Sequence, residues 1–440
     1  MFKKERTLFI RCLLCLSLIT TLLVPITASL AVNEEVPQKS FFTLTIVCSP
    51  EFGETDIAEV WKPELKKIGI DLNIVTVEDV DTLVMENPTK SYEEGGWDIV
   101  IKGASPELGH PGAVIPYSIL DRPFVPFVKD EDFWTMVDEL AAASDETTLK
   151  KVSGEALSWW IDNLPIFDFL TDKRAVIFNP NVKNTDKYGL YFDYTLPMET
   201  VIKAGMYYEG KDTYTYAETE VWYLLPFFGW YTCGPGQFQR LLWMKPEDKT
   251  LVPELAESWE ISPDGTVYTF HLKKDVVWSD EEPFTSADCK FTFDLMLNPT
   301  IGSEAGIFLR RVIDSMETPD ELTFVIHTKK AVPFFLEWLA RSCCPCIVPK
   351  HTLENIKPED MANSDYATGA KACPTTGWYV LDQMVVGDYI RFKRNPLLHS
   401  SFTPVKNEYF ILKKVGEKTT IVSMIKTGEV SGHYAGLGMS

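Results

Sequence analysis

The sequence predicts an α/β protein in two parts, with mixed sheets and flanking helices, and three observations carry that prediction. Residues from Phe42 to roughly Glu199 alternate short apolar runs with amphipathic segments of helical period. Residues from about Val201 to Ser440 carry two-residue alternation broken by turn signals. At 440 residues with 45% hydrophobic side chains, the chain has material for two or three cores.

The first region reads as strand, helix, strand. Leu44–Cys48 is a short apolar strand, and Ile57, Trp61, Leu65 and Ile68 recur at helical spacing until Gly69 stops the helix. Ile70–Val77 returns as a strand and Trp97–Ile101 supplies a third. Phe133, Met136, Val137, Leu140 and Ala141 stripe one later helix, and Leu149, Val152, Ala156 and Trp160 stripe the next. Arg174–Phe178 is expected to close this region as a strand, giving a mostly parallel sheet covered by helices.

The second region has antiparallel signals. The turn Ser262-Pro263-Asp264-Gly265 leads into a strand in which Tyr268, Phe270 and Leu272 alternate with Thr269 and His271. Thr285 and Asp288 have capping-box spacing for a helix running to about Leu297. Leu322, Phe324 and Ile326 alternate again, as do Ile390 and Phe392 against Arg391 and Lys393.

Residues 1–31 have the grammar of an export signal. Lys3, Lys4, Arg6 and Arg11 precede the apolar run Cys12–Thr27, and Ser29-Leu30-Ala31 offers small residues for cleavage after Ala31. An uncleaved anchor is the competing reading, although Pro25 interrupts the run and the run is short for spanning. A lipid anchor at Cys15 lacks the usual small residue in Leu13-Leu14. With 63 acidic against 42 basic residues, the net charge of −21 argues against nucleic-acid binding.

Enzyme chemistry finds little purchase. The sequence has no Gly-x-Ser-x-Gly elbow, no His-Glu-x-x-His helix and no phosphate-binding glycine loop. Asp280, Glu281 and Glu282 sit at a turn, where a solvated face explains them. Cys343 and Cys346 have Cys-x-x-Cys spacing, but no second cysteine or histidine pair completes a zinc site. A disulfide to Cys373 or Cys233, or buried thiols, is the competing account of these cysteines.

An ordered series of segments resembles the peptide-type (dipeptide, oligopeptide and nickel) solute-binding proteins of ABC importers. It runs from Leu251–Glu260 (LVPELAESWE) through Ser262–Gly265, Tyr268–Lys273, Val277–Asp280 and Phe284–Asp288. It continues with Ile347–His351, Thr376–Leu381, Gly387–Ile390 and Arg394–Pro396. Leu65–Leu72, Gly96–Val100, Asn163–Pro165 and Phe178-Asn179 resemble the same family's later, second-lobe segments. The resemblance therefore implies a permuted order: a second-lobe region at 42–200, a first-lobe region at 201–440, and a chain that stops before the second lobe opens again.

The resemblance implies a two-lobed, periplasmic-binding-protein-like (type II) fold that grips a solute in the cleft between lobes. It points to Glu107 as the carboxylate for a peptide ammonium and to the neighbouring His110, where relatives carry Asp-Pro. Trp230 and Tyr231 would supply flat cleft walls, and Thr376 and Trp378 fall in a turn near the cleft. Gly377 between them fits a purely conformational role equally well.

The function so implied is an exported, non-enzymatic, periplasmic or cell-surface binding component that captures peptides or a similar small solute. It would need no cofactor or metal, and its partners would be a membrane permease and a second chain completing the lobe. Two other readings stay open: a surface interaction protein without solute affinity, and a metal or thiol-redox protein using Cys343 and Cys346.

Overall fold

The structure, a computed structural model, describes residues 40–49, 54–77, 97–101, 130–142, 146–163, 175–187, 197–218, 224–227, 236–245, 247–248, 250–332, 334–340 and 346–435. The expected export signal over residues 1–31 lies outside them. Two compact units are distinguished, one of residues 1–78 with 96–101 and one of residues 79–95 with 102–440.

In the smaller unit, β1 (Phe42–Cys48) leads through α1 (Glu54–Lys67) to β2 (Ile70–Thr76), and β3 (Ile99–Val100) follows. The order is β2-β1-β3 and both pairings are parallel, with Phe42 opposite Ile70 and Ile46 opposite Ile99. Leu44, Ile46, Val47 and Cys48 are all buried, the near-continuous apolar run of a parallel strand covered on both faces. Lys66 and Lys67 sit in the last turn of α1, where the helix dipole favours cations. Gly69 ends the helix at φ +81°, and a Cβ there would lie 2.5 Å from the Phe41 ring.

The larger unit begins, among the described residues, with a helix pair, α2 (Glu131–Ala142) and α3 (Glu146–Asn163). The rings of Phe133 and Trp159 meet across it at 4.2 Å between centroids. Next come β4 (Ala175–Phe178), β5 (Val182–Lys183), α4 (Pro197–Lys203), β6 (Tyr207–Tyr208) and β7 (Thr213–Glu218). The hairpin of β8 (Leu242–Met244) and β9 (Leu251–Pro253) precedes β10 (Ala256–Ile261) and β11 (Val267–Leu272). Helices α5 (Ser286–Leu297) and α6 (Glu304–Val312) lead to β12 (Ile313–Asp320) and β13 (Thr323–Thr328). The last elements are β14 (Tyr379–Val385), β15 (Tyr389–Arg394), β16 (Tyr409–Lys414), α7 (Lys418–Thr427) and β17 (Gly432–Ala435).

Strands β10-β11-β13-β12 form an antiparallel sheet in that order. The alternation in β11 is realised: Tyr268, Phe270 and Leu272 are buried, and the residues between them are half-buried. Helix α5 opens on the expected capping box, with the Thr285 amide donating to Asp288 Oδ2 at 2.9 Å. These elements enclose a large core that includes Trp278, Phe293, Phe308, Phe324 and Trp338.

Strands β14-β15-β16-β7-β17-β4 form a mixed sheet. The first three run antiparallel, β7 lies parallel to β16, and β17 lies between β7 and β4. Here the structure differs from the sequence expectation, because β4 does not close the region before it. It pairs antiparallel with β17, Ala175 opposite Ala435 and Phe178 opposite Gly432. Asn179, just beyond β4, fixes that placement with three hydrogen bonds. Its side-chain amide donates to Ile425 O at 2.6 Å, its Oδ1 accepts from Tyr208 Oη at 3.0 Å, and its backbone amide donates to Ser431 O at 2.8 Å. A second core, with Tyr214, Tyr216, Tyr379, Phe392 and Phe410, packs on one face of this sheet.

Candidate functional site

Where the two cores of the larger unit approach each other, the chain buries charge. Helix α4 carries Glu199 and Lys203, the segment before β8 carries Arg240, and the turn after β9 carries Glu254. Glu199, Arg240 and Glu254 are each at most 5% exposed. The Arg240 guanidinium forms a two-pronged bond to Glu199, with Nη1 at 2.9 Å from Oε1 and Nη2 on Oε2. Nη1 also lies 3.6 Å from Glu254 Oε2, which accepts the Arg240 backbone amide at 3.0 Å. Lys203 Nζ donates to Glu254 Oε1 and stands 3.9 Å from Glu199. Its ammonium is held between two indoles, 4.6 Å from the Trp243 ring centre and 4.7 Å from that of Trp378.

Two carboxylates and two cations thus cancel in a space that water does not reach. Burial alone would lower the Arg240 guanidinium pKa, but Glu199, with Cys346 and Glu254, holds it well above its ordinary value. Burial alone would raise the Glu254 carboxyl, yet Lys203 and Arg240 keep it below its ordinary value. Lys273, which donates to the Glu254 and Ala256 carbonyls, is lowered chiefly by desolvation. Among Glu199, Lys203, Arg240 and Glu254 every charge already has its counter-charge, so the arrangement fixes geometry; it does not store a proton for transfer.

Of the expected site residues, the structure brings Trp378 to this cluster, with Thr376 two residues before it in the chain. Trp378 is 6% exposed, donates from Nε1 to Thr403 O at 2.9 Å and meets the Phe402 ring edge-on at 5.5 Å. Thr376 is 1% exposed and its hydroxyl has no partner. Neither side chain faces solvent. Gly377 fills the conformational role, since a Cβ there would lie 2.0 Å from Gly236 O and 2.5 Å from Gln237 O. Glu107, His110, Trp230 and Tyr231 lie outside the described residues.

Cys343 and Cys344 also lie outside the described residues, so the Cys-x-x-Cys reading is met only at Cys346. Cys346 and Cys373 are buried, and burial pushes the Cys373 thiol up. Among the described residues no three His, Cys, Asp or Glu side chains are grouped to hold a metal ion. A groove of about 240 Å³ lies on the outer face of the six-stranded sheet, lined by Thr215, Tyr389, Ile411, Lys413 and Glu429.

The charged cluster escaped sequence reasoning because its members are dispersed and belong to no spaced motif. The signal that could have found it is local: Lys203 in Val-Ile-Lys-Ala and Arg240 in Phe-Gln-Arg-Leu-Leu are cations set among apolar neighbours.

Residues 250–435 match the model of the bacterial extracellular solute-binding proteins, family 5 middle region. A Brucella ovis protein provisionally named an ABC transporter peptide-binding protein is 34% identical over 202 residues, covering 45% of this chain and 36% of that protein. The periplasmic oligopeptide-binding protein OppA of Haemophilus influenzae is 28% identical over 204 residues, covering 42% of this chain and 36% of OppA. The chain thus spans little more than a third of the length of these relatives. Among solved structures, NikZ from Campylobacter jejuni in complex with Ni(L-His) aligns at 29% identity, covering 50% of this chain and 42% of NikZ, with a TM-score of 0.44. Haemophilus influenzae OppA in complex with the peptide RPPGFSPFR aligns at 21% identity, covering 50% of this chain and 45% of OppA, with a TM-score of 0.43. No helix among the described residues is long and apolar enough to cross a membrane. The similarity to the bacterial extracellular solute-binding proteins, family 5, is thus carried by residues 250–435.

Proposed function

We propose that the protein is the exported, solute-capturing component of a peptide-type ABC importer, working with a membrane permease and without turnover of its ligand. The match over residues 250–435 carries this reading, because that segment supplies most of one buried core of the larger unit and part of the other. Relatives named for peptide and oligopeptide binding support a peptide as the solute class. Glu107 would take the peptide ammonium, with His110, Trp230 and Tyr231 shaping the pocket, while Trp378 would act from behind the pocket wall.

The permuted order belongs to the same proposal. The strand β4, which resembles the segment where the family's chain returns from its second lobe, is hydrogen-bonded beside β17, the last strand of the matched segment. This pairing supports reading residues 175–203 as part of the first lobe's structure.

Thermal melting of the purified protein against di- to octapeptides tests the function. A peptide present at about 100 times its dissociation constant should stabilise the protein by about 2.7 kcal/mol. Glu107→Ala should abolish that gain and leave the ligand-free melt unchanged. A cooperative melt that no peptide moves would sink the reading and favour a surface interaction protein built on the same fold.

A further inference from the structure

Within the larger unit, the core of the four-stranded sheet and the core of the six-stranded sheet are separate apolar clusters. Residues 236–240 and 375–378 lie against each other where these clusters meet. The Trp378 amide donates to Gly236 O at 2.8 Å and the Gly377 amide to Gln237 O at 3.2 Å. On the same strip, the Ile347 amide donates to Gln239 O at 2.8 Å.

The side chains on this strip have the wrong chemistry for a permanent interior. Gln237 is 0% exposed and Gln239 1%, and neither amide has a partner on its oxygen or its nitrogen. The Thr376 hydroxyl and Arg240 Nε, on the same two segments, are equally unpartnered. A protein interior seldom leaves such groups unsatisfied, because each forfeits its hydrogen bonds to water. Other buried side-chain atoms without partners, such as those of Ser153 and Trp338, are isolated cases along the chain.

We propose that this strip is a slip seam: the two cores shift against each other along it, and Gln237, Gln239 and Thr376 gain water when it opens. Opening costs backbone hydrogen bonds and close contact, but it relieves the unpartnered amides, so the net cost falls well below that of global unfolding. The glycines let the closed form exist, since a side chain at Gly377 would strike the facing backbone. The charged cluster marks the limit of the movement. Arg240 is clamped to Glu199 and Lys203 to Glu254, so the seam slides without the cores separating.

Hydrogen–deuterium exchange on the full chain tests it. The amides of Gly377, Trp378 and Ile347 should exchange together, at least about tenfold faster than those of Phe270, Phe324 and Phe392 in the neighbouring strands. Gln237→Leu and Gln239→Met, which remove the orphaned amides at similar volume, should each raise Tm by about 2–4 °C and slow the exchange of all three reporters. Exchange at the seam as slow as in the strands would overturn the proposal in the wild-type protein, whatever the variants do. So would a fall in Tm in both variants with seam exchange unslowed, which would make the amides ordinary supports of a fixed junction.

Discussion

In the four-stranded sheet, Tyr268, Phe270 and Leu272 of β11 and Phe324 and Ile326 of β13 all enter one packed core, with Trp278 and Trp338 closing it. In the six-stranded sheet, Ile390, Phe392, Phe410 and Leu412 do the same on one face. On its other face, helix α7 covers only the part near β17 and β4, through Ile421 and Ile425 against Ala217 and Ile177. The remainder, with Tyr389, Arg391, Tyr409, Ile411 and Lys413, is half-buried. Both sheets are built from equally regular alternation, and along β11 as along β15 and β16 only one position in two is committed to packing. Alternation reports which face is buried; it does not report whether the opposite face is also covered.

The largest break in this comparison falls at neither sheet but between them. Arg240→Met leaves Glu199 and Glu254 buried without their guanidinium, and breaking one partner of such a pair costs about 3–5 kcal/mol. Urea denaturation should show that loss in the midpoint at unchanged slope. Substituting Phe270→Ala in the four-stranded core should cost a similar ~3–5 kcal/mol, whereas Ile411→Ala on the open face should cost well under half of that. Equal losses at the two positions would mean that the open face is covered in solution.

A smaller effect sharpens the comparison through pH. Glu254 is held below its ordinary carboxylate pKa by Lys203 and Arg240. Its ionised form therefore contributes stability above the unfolded pKa of about 4.3, and that contribution is lost as pH falls through the lower folded value. Stability measured from pH 6 down to pH 3 should fall more steeply in the wild type than in Glu254→Gln. At the alkaline end the sign reverses. Burial raises the Tyr268 phenol to about 12, so its stabilising neutral form is retained below the unfolded value of about 10 and lost above it. Tyr268→Phe should flatten that alkaline limb in a Tm-against-pH profile.

Local rules read the strands and helices well because their causes are local. The period of β11, the stop at Gly69 and the capping box at Thr285 are each set by a few neighbouring residues. The partner of β4 was not legible, since Asn179 finds Ile425 and Ser431 across almost the whole larger unit. The site divides in the same way. Trp378 was picked out by the segment it stands in, but the lysine it shelters, Lys203, comes from a helix far back in the chain. No spacing rule links Glu199, Lys203, Arg240 and Glu254, because a buried charge chooses its partner by proximity in the folded state.

The order of strands in the six-stranded sheet has a consequence for how the protein is made. The strand β17 sits between β7 and β4, which leave the ribosome about 215 and about 255 residues earlier. At ordinary synthesis rates β7 waits roughly ten to forty seconds for that neighbour. The four-stranded sheet needs no such wait, since β10 to β13 emerge within one short stretch of chain. During translation, therefore, one half of the larger unit can fold on schedule while the other holds an unfilled place in its sheet, and any factor guarding the nascent chain has most to do at β7.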